Sequence, residues 1–262
     1  MVTALFIYLV SCLTGLALGS FANVCILRLP SSESLWFPRS RCPNCQSPIG
    51  ALDNIPVVSY LILGGHCRSC GHPISRQYPI VELSMMLLFL INAIYFRYNL
   101  STMIVTDIFG FYLLTISIID YQHRIIPDEL SLSLLLFGVG FSFLNPSLGN
   151  PGWHALLQSL LSAFGGGLIM LSLAWTGEKI FRKEALGGGD IKLIAAVGAI
   201  AGWPGVLGSL FIGSLVGALF ALALLLMKKK KRGDTLPFGP FLSLGAYIVC
   251  FLPKGWMPFI FS

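Results

Sequence analysis

Charge is what this sequence has least of. Asp, Glu, Lys and Arg make up 11% of its 262 residues, against roughly a quarter in a soluble domain. With 55% hydrophobic residues, that deficit excludes an ordinary water-facing globule and leaves an integral membrane protein. Strand-like stretches are nearly missing as well, and no glycine-rich nucleotide fingerprint follows one. No basic stretch precedes the first apolar run, and Arg28 follows it. That is the reverse of a secretory signal peptide, so an uncleaved span with its N-terminus outside is expected. The two halves share no hydropathy repeat, which speaks against a transporter built from repeated halves.

What is present is a series of apolar segments. Eight are drawn, over residues 2–27, 80–96, 103–119, 130–144, 156–175, 191–203, 206–227 and 238–252. The expected fold is therefore an all-α polytopic membrane protein of about eight transmembrane helices. It carries one small zinc-ribbon-like loop on the cytoplasmic side. Its parts are a first transmembrane helix (1–27), a cytoplasmic zinc-binding loop with four cysteines (28–79) and a seven-helix membrane core (80–262). Lys and Arg set the orientation. With the N-terminus outside, the inner segments hold every basic residue except Arg97 and Lys254, as the positive-inside rule requires. The net charge of +6 is thus topological and implies no nucleic-acid partner. The run Lys228-Lys229-Lys230-Lys231-Arg232 reads first as a stop at the cytoplasmic surface, and second as an anionic-lipid contact. The segment over 191–203 covers about 20 Å at 1.5 Å per residue, short of a hydrocarbon core of about 30 Å.

The loop repeats a motif. Cys42-Pro43-Asn44-Cys45-Gln46-Ser47-Pro48-Ile49 and Cys67-Arg68-Ser69-Cys70-Gly71-His72-Pro73-Ile74 both read Cys-x-x-Cys-x-x-Pro-Ile. Two such knuckles supply four thiolates, Cys42, Cys45, Cys67 and Cys70, for one tetrahedral zinc. A reducing cytoplasm disfavours disulfides there. With all four positions filled by Cys the site is closed, hence structural. The loop is too small for much core, so metal would supply a large part of its folding energy.

Two carboxylates mark the ends of apolar runs. Asp190 opens one behind Gly187-Gly188-Gly189, more glycine than a helix cap needs. Asp120 closes the run over 103–119, at the negative end of its helix dipole, where a carboxylate is disfavoured. Acids at such depth are functional-site candidates, and both fall on the cytoplasmic side of the predicted topology. Asp128, after Pro127, reads as a helix cap, and Asp107 as structural. Glu82, just after the loop, complements a helix dipole or belongs to a second site.

Taken with the loop and the eight-span plan, several motifs give the chain a family likeness. They are Gly19-Ser20-Phe21-Ala22-Asn23-Val24, Arg28-Leu29-Pro30, Asn54-Ile55-Pro56 and Arg76-Gln77-Tyr78-Pro79-Ile80-Val81-Glu82. Further along stand Ile126-Pro127-Asp128, Gly187-Gly188-Gly189-Asp190-Ile191-Lys192 and Pro237-Phe238-Gly239-Pro240-Phe241. The chain resembles the type IV prepilin peptidases, bifunctional leader peptidases and N-methyltransferases of the GxGD aspartyl protease type. The likeness implies that Asp120 and Asp190 are catalytic, in the bacterial inner membrane with the active site facing the cytoplasm and both termini outside. It implies substrates that are type IV prepilins or type II secretion pseudopilins, cut after a glycine and then methylated on the new N-terminal residue, usually Phe. S-adenosylmethionine would be the methyl donor. Family members without the cysteine loop tend to be peptidases only, and this chain has the loop. The rival readings are a peptidase alone, or a transporter with an intramembrane acid pair.

A chemical scheme follows. Two close carboxylates do not both ionise easily and share a proton. One activates a water; the other polarises the scissile carbonyl and protonates the leaving amine. The bare backbone of Gly187, Gly188 and Gly189 admits the extended leader. Helix dipoles assign the shared proton to Asp120. For the methyl-donor site only position speaks, and it suggests Glu82 and Arg76.

Overall fold

The computed structural model describes residues 2–145, 148–149, 152–182, 186–229 and 236–252. Among these, regular structure is helical: α1 (Val2–Arg28), α2 (Val58–Ile62), α3 (Gln77–Tyr95), α4 (Leu100–His123), α5 (Asp128–Gly140), α6 (Trp153–Phe181), α7 (Gly188–Leu226) and α8 (Gly239–Val249). They divide into two compact units, Met1–Asn99 and Leu100–Ser262. Five of the described helices, α1, α3, α4, α6 and α7, are long and apolar enough to cross a membrane. Each of the eight apolar segments has a helical counterpart, but the sixth and seventh run together as α7. With 13 and 11 residues, α5 and α8 reach only about 20 and 16 Å. The short α2 lies inside the cysteine loop and matches no apolar segment. Residues 230–232 of the basic run, and Lys254, lie outside the described residues.

In the first unit α1 and α3 pack antiparallel. Gly15 and Gly19 make the crossing close: a Cβ on either would come within 2.8 Å of Met86 Cα or 2.7 Å of Glu82 Cα. This is the small-xxx-small contact that lets membrane helices approach backbone to backbone. Leu5, Phe6, Leu9 and Leu13 of α1 stay exposed, as a lipid-facing surface does.

In the second unit α7 is broken at Gly202 (φ 63°, ψ −162°), two residues before Pro204. Proline has no N–H, so the Ile200 carbonyl loses its i+4 donor. Asn145 replaces it, donating from Nδ2 at 2.6 Å. The two preceding carbonyls also take side-chain donors: the Ser159 hydroxyl meets Ala199 O, and the Ser162 hydroxyl meets Gly198 O, each at 2.8 Å. Buried backbone acceptors away from water need such partners. Asn145→Ala is expected to strand one of them and to cost about 1–3 kcal/mol. Thermal unfolding in detergent should show the loss, and an unchanged transition would mean that water or a neighbouring helix satisfies Ile200.

Candidate active site

Four helix ends meet at one end of the second unit. Asp120 lies three residues before the C-terminus of α4. Asp190 is the third residue of α7, Gly239 the first of α8 and Asp128 the first of α5. Asp120 is buried with 7% of its surface exposed, and Asp190 is half-buried. The two carboxylates lie close enough to act on one another electrostatically. The topology expected from the sequence puts both on one side of the membrane. The fold brings them to the same end of one bundle.

Each acid is held by a backbone N–H. Asp190 Oδ2 accepts from Gly187 N–H at 3.3 Å, so it reaches back across its own first turn and is not itself the cap. Asp120 Oδ2 accepts from Gly239 N–H at 2.8 Å. That second bond changes the electrostatic argument. Asp120 does sit at the negative end of α4, but the positive N-terminus of α8 faces it, and the Arg124 charge acts on it as well. The dipoles therefore do not single out Asp120 as holder of a shared proton. Gly239 is a site residue whose contact the sequence does not show; it appears there only as part of the Pro237–Phe241 motif of the family likeness.

The three glycines before Asp190 divide by role. A Cβ on Gly189 would meet Ile126 Cβ at 2.8 Å, so its bare face is filled by the α4–α5 connection and not left for a ligand. Gly188 has nothing within 4 Å, and Gly187 only Asp190 Oδ2 at 3.5 Å and Gly189 N at 4.0 Å. Asp128 is not the cap of α5; Pro127 occupies that position and no side chain caps it. Asp128 instead pairs with Lys192 Nζ at 2.6 Å, linking α5 to the start of the second turn of α7. Asp107 is buried in α4, thirteen residues and so about 20 Å from Asp120.

In the first unit the two knuckles repeat in three dimensions. Cys42 N–H donates to Ser47 O and Cys67 N–H to His72 O; Gln46 N–H donates to Cys42 O and Gly71 N–H to Cys67 O. The left-handed turn falls at the same place in both, on Gln46 and Gly71. All four Sγ atoms lie within 4.8 Å of one another, and Cys42 and Cys70 stand 3.9 Å apart. A tetrahedron with Zn–S of about 2.3 Å needs sulfurs about 3.8 Å apart, so the donor set fits zinc. The Ser47 hydroxyl and N–H pull the Cys45 thiol down to about 6. Backbone N–H groups of Cys70 and Ser69 lower Cys67 too. Thiolates are the form a metal takes. Arg68 grips Asp53 with a bidentate pair, which holds the second knuckle to the loop between the two.

The candidates for methyl transfer separate. Glu82 is buried, with 6% of its surface exposed, and accepts from Val57 N–H at 2.7 Å. Arg76 is exposed at the N-cap of α3, and its side chain makes no hydrogen bond or ion pair with the described residues.

Two family models match the chain. One describes the bacterial peptidase A24 N-terminal domain, over residues 13–96. The other describes the type IV leader peptidase family, over residues 108–222. Their boundary falls where the two compact units part. Among curated relatives, a prepilin leader peptidase/N-methyltransferase of Aeromonas salmonicida (strain A449) is 36% identical, over 90% of this chain and 87% of its own length. One of Pseudomonas aeruginosa is 34% identical over the same shares. A type 4 prepilin-like proteins leader peptide-processing enzyme of Escherichia coli is 35% identical over 91% of each chain. No solved structure matches the chain.

Proposed function

The chain belongs to the type IV leader peptidase family, and from that premise we propose that it removes the leader of type IV prepilins or related pseudopilins and methylates the amine so exposed. It does so as a multi-pass protein of the bacterial inner membrane. The single observation that carries the proteolytic reading is the acid pair at one end of the second unit. Asp120 and Asp190 are the hydrolytic groups. One carboxylate takes a proton from water, and the hydroxide formed adds to the scissile carbonyl. The other, protonated, donates to the carbonyl oxygen; a proton then passes to the leaving nitrogen as the C–N bond breaks. No covalent intermediate is required. Gly187 and Gly188, with open space beside them, are where an extended leader backbone comes close.

The site faces the cytoplasm, and the N-terminus lies outside, on the distribution of Lys and Arg. Cys42, Cys45, Cys67 and Cys70 hold one structural zinc. Cys42→Ser is expected to lose that zinc and unfold the loop, since binding energy and folding energy are the same quantity in so small a domain. Metal analysis of the purified variant checks this, and full zinc content would remove the assignment. S-adenosylmethionine is the methyl donor.

The test uses the full-length protein in lipid, incubated with a prepilin peptide and S-adenosylmethionine and read by mass. Loss of the leader with gain of one methyl on the mature peptide is the expected outcome. Cleavage without methyl gain leaves a peptidase alone. Neither change, from protein that retains zinc, overturns the proposal.

A further inference from the structure

A second polar cluster lies buried in the first unit, where α1 crosses α3. On α1 it comprises Ser20 and Asn23; on α3, Glu82 and the Tyr78 carbonyl; between them comes the backbone of Val57. The Ser20 hydroxyl lies beside the Glu82 carboxylate. Asn23 Nδ2 donates to Tyr78 O at 3.1 Å and to Gly19 O at 3.3 Å. One Glu82 oxygen takes the Val57 N–H.

Val57 is conformationally costly. Its φ of 61° and ψ of −47°, with Val58 N–H donating to Pro56 O at 2.6 Å, define the γ-turn that is rare and strained. A β-branched residue suits it least. Strain of this kind persists where the surroundings enforce it, and it concentrates at functional sites. Here the Glu82 carboxylate enforces it. A strut would need only a neutral acceptor, which glutamine provides. Yet the residue is an acid, 6% exposed, and no cation among the described residues bonds to it. A buried charge without a partner is expensive.

Counting donors against acceptors points to the ligand. Asn23 is 1% exposed, and its Oδ1 has no hydrogen-bond partner among the described residues. Glu82 retains acceptor capacity beyond its bond from Val57 N–H. The cluster thus has acceptors and a negative charge to spare, with the Asn23 amide and the Val57 N–H already engaged. A primary ammonium, with three N–H donors and one positive charge, is the complement.

We propose that Glu82, with Asn23, binds the α-ammonium of the cleaved substrate and takes its proton for methylation. This rests on the transferase reading given above. The ammonium passes one proton to the Glu82 carboxylate. The freed lone pair attacks the methyl carbon of the sulfonium donor. The C–S bond breaks, its electron pair stays on sulfur, and a thioether leaves. The methylated nitrogen carries the positive charge, and Glu82 later returns its proton to water.

The test needs two leaderless peptides of one sequence, one with a free α-amino group and one N-acetylated. Binding of each to wild-type protein in lipid is measured first. The free amine should bind about tenfold or more tightly, one decade in Kd. Equal binding overturns the proposal without any variant. Next, Glu82→Gln keeps the acceptor for Val57 N–H and removes only the charge. It should cleave prepilin and retain zinc as wild type does, lose the preference for the free amine, and methylate at least about a hundredfold more slowly. Methylation at the wild-type rate overturns the proposal. If Glu82→Gln loses zinc or cleavage, Glu82→Asp decides: restored amine preference supports the charge, and its absence with zinc intact overturns it. Wild-type protein that cleaves but never methylates sinks the transferase reading instead, and the binding comparison still scores Glu82.

Discussion

Asp120→Asn and Asp190→Asn are each expected to lower leader cleavage by about a hundredfold to ten-thousandfold, the range set by loss of one general acid or base. Asparagine matches aspartate in size and keeps an acceptor for Gly239 N–H or Gly187 N–H, so the fold should survive. It cannot take a proton from water. The double variant should be hardly slower than either single one, because groups that act as a unit are not additive. Zinc content should be unchanged, and so should methylation of a peptide supplied without its leader. Asp128→Asn is the contrast. Its ion pair with Lys192 is between half-exposed groups, and such pairs contribute at most about 1 kcal/mol. Cleavage by either single acid variant within tenfold of wild type would remove that residue from the mechanism.

Gly239→Ala carries the second large effect. A Cβ there would lie 2.7 Å from Asp120 Oδ2, 3.2 Å from its Cγ and 3.3 Å from its Cβ. None of these atoms belongs to a long flexible side chain, so either α8 or the Asp120 carboxylate must move. Displacing a reacting group by a fraction of an ångström to one ångström costs up to about a hundredfold, and cleavage should fall by that order. Overpacking would also lower stability by about 1–3 kcal/mol, which thermal unfolding separates from the catalytic loss. Gly140→Ala, with nothing within 4 Å of its added methyl, is the control and should change neither. Wild-type cleavage by Gly239→Ala would show that Asp120 does its work without the α8 N-terminus holding it.

Much of the molecule was legible before any coordinates. A membrane helix must bury its own backbone bonds in an apolar segment, so hydropathy alone marks the positions of α1, α3, α4 and α6. Four thiols in two equal spacings announce a metal-ligand donor set because ligand number and geometry are local to each knuckle. Asp120 and Asp190 stand out because a carboxylate at the edge of a bilayer needs a reason to be there.

Other features depend on residues far apart in sequence. The break in α7 is written in Gly202 and Pro204, but the partners of its freed carbonyls, Asn145, Ser159 and Ser162, come from other parts of the second unit. Gly189 looks like its two neighbours until Ile126 is found against it. Asp128 passes for a cap until Lys192 is found beside it.

The sequence by itself determined which segments form apolar helices, which sulfurs gather and which acids are out of place, since each follows from local chemistry. Tertiary structure alone decided that Gly239 holds Asp120 from 119 residues away, and that Glu82 clamps a strained turn at Val57. Such contacts depend on how closely two helices approach, and that distance is set by packing between them, which neither helix carries alone.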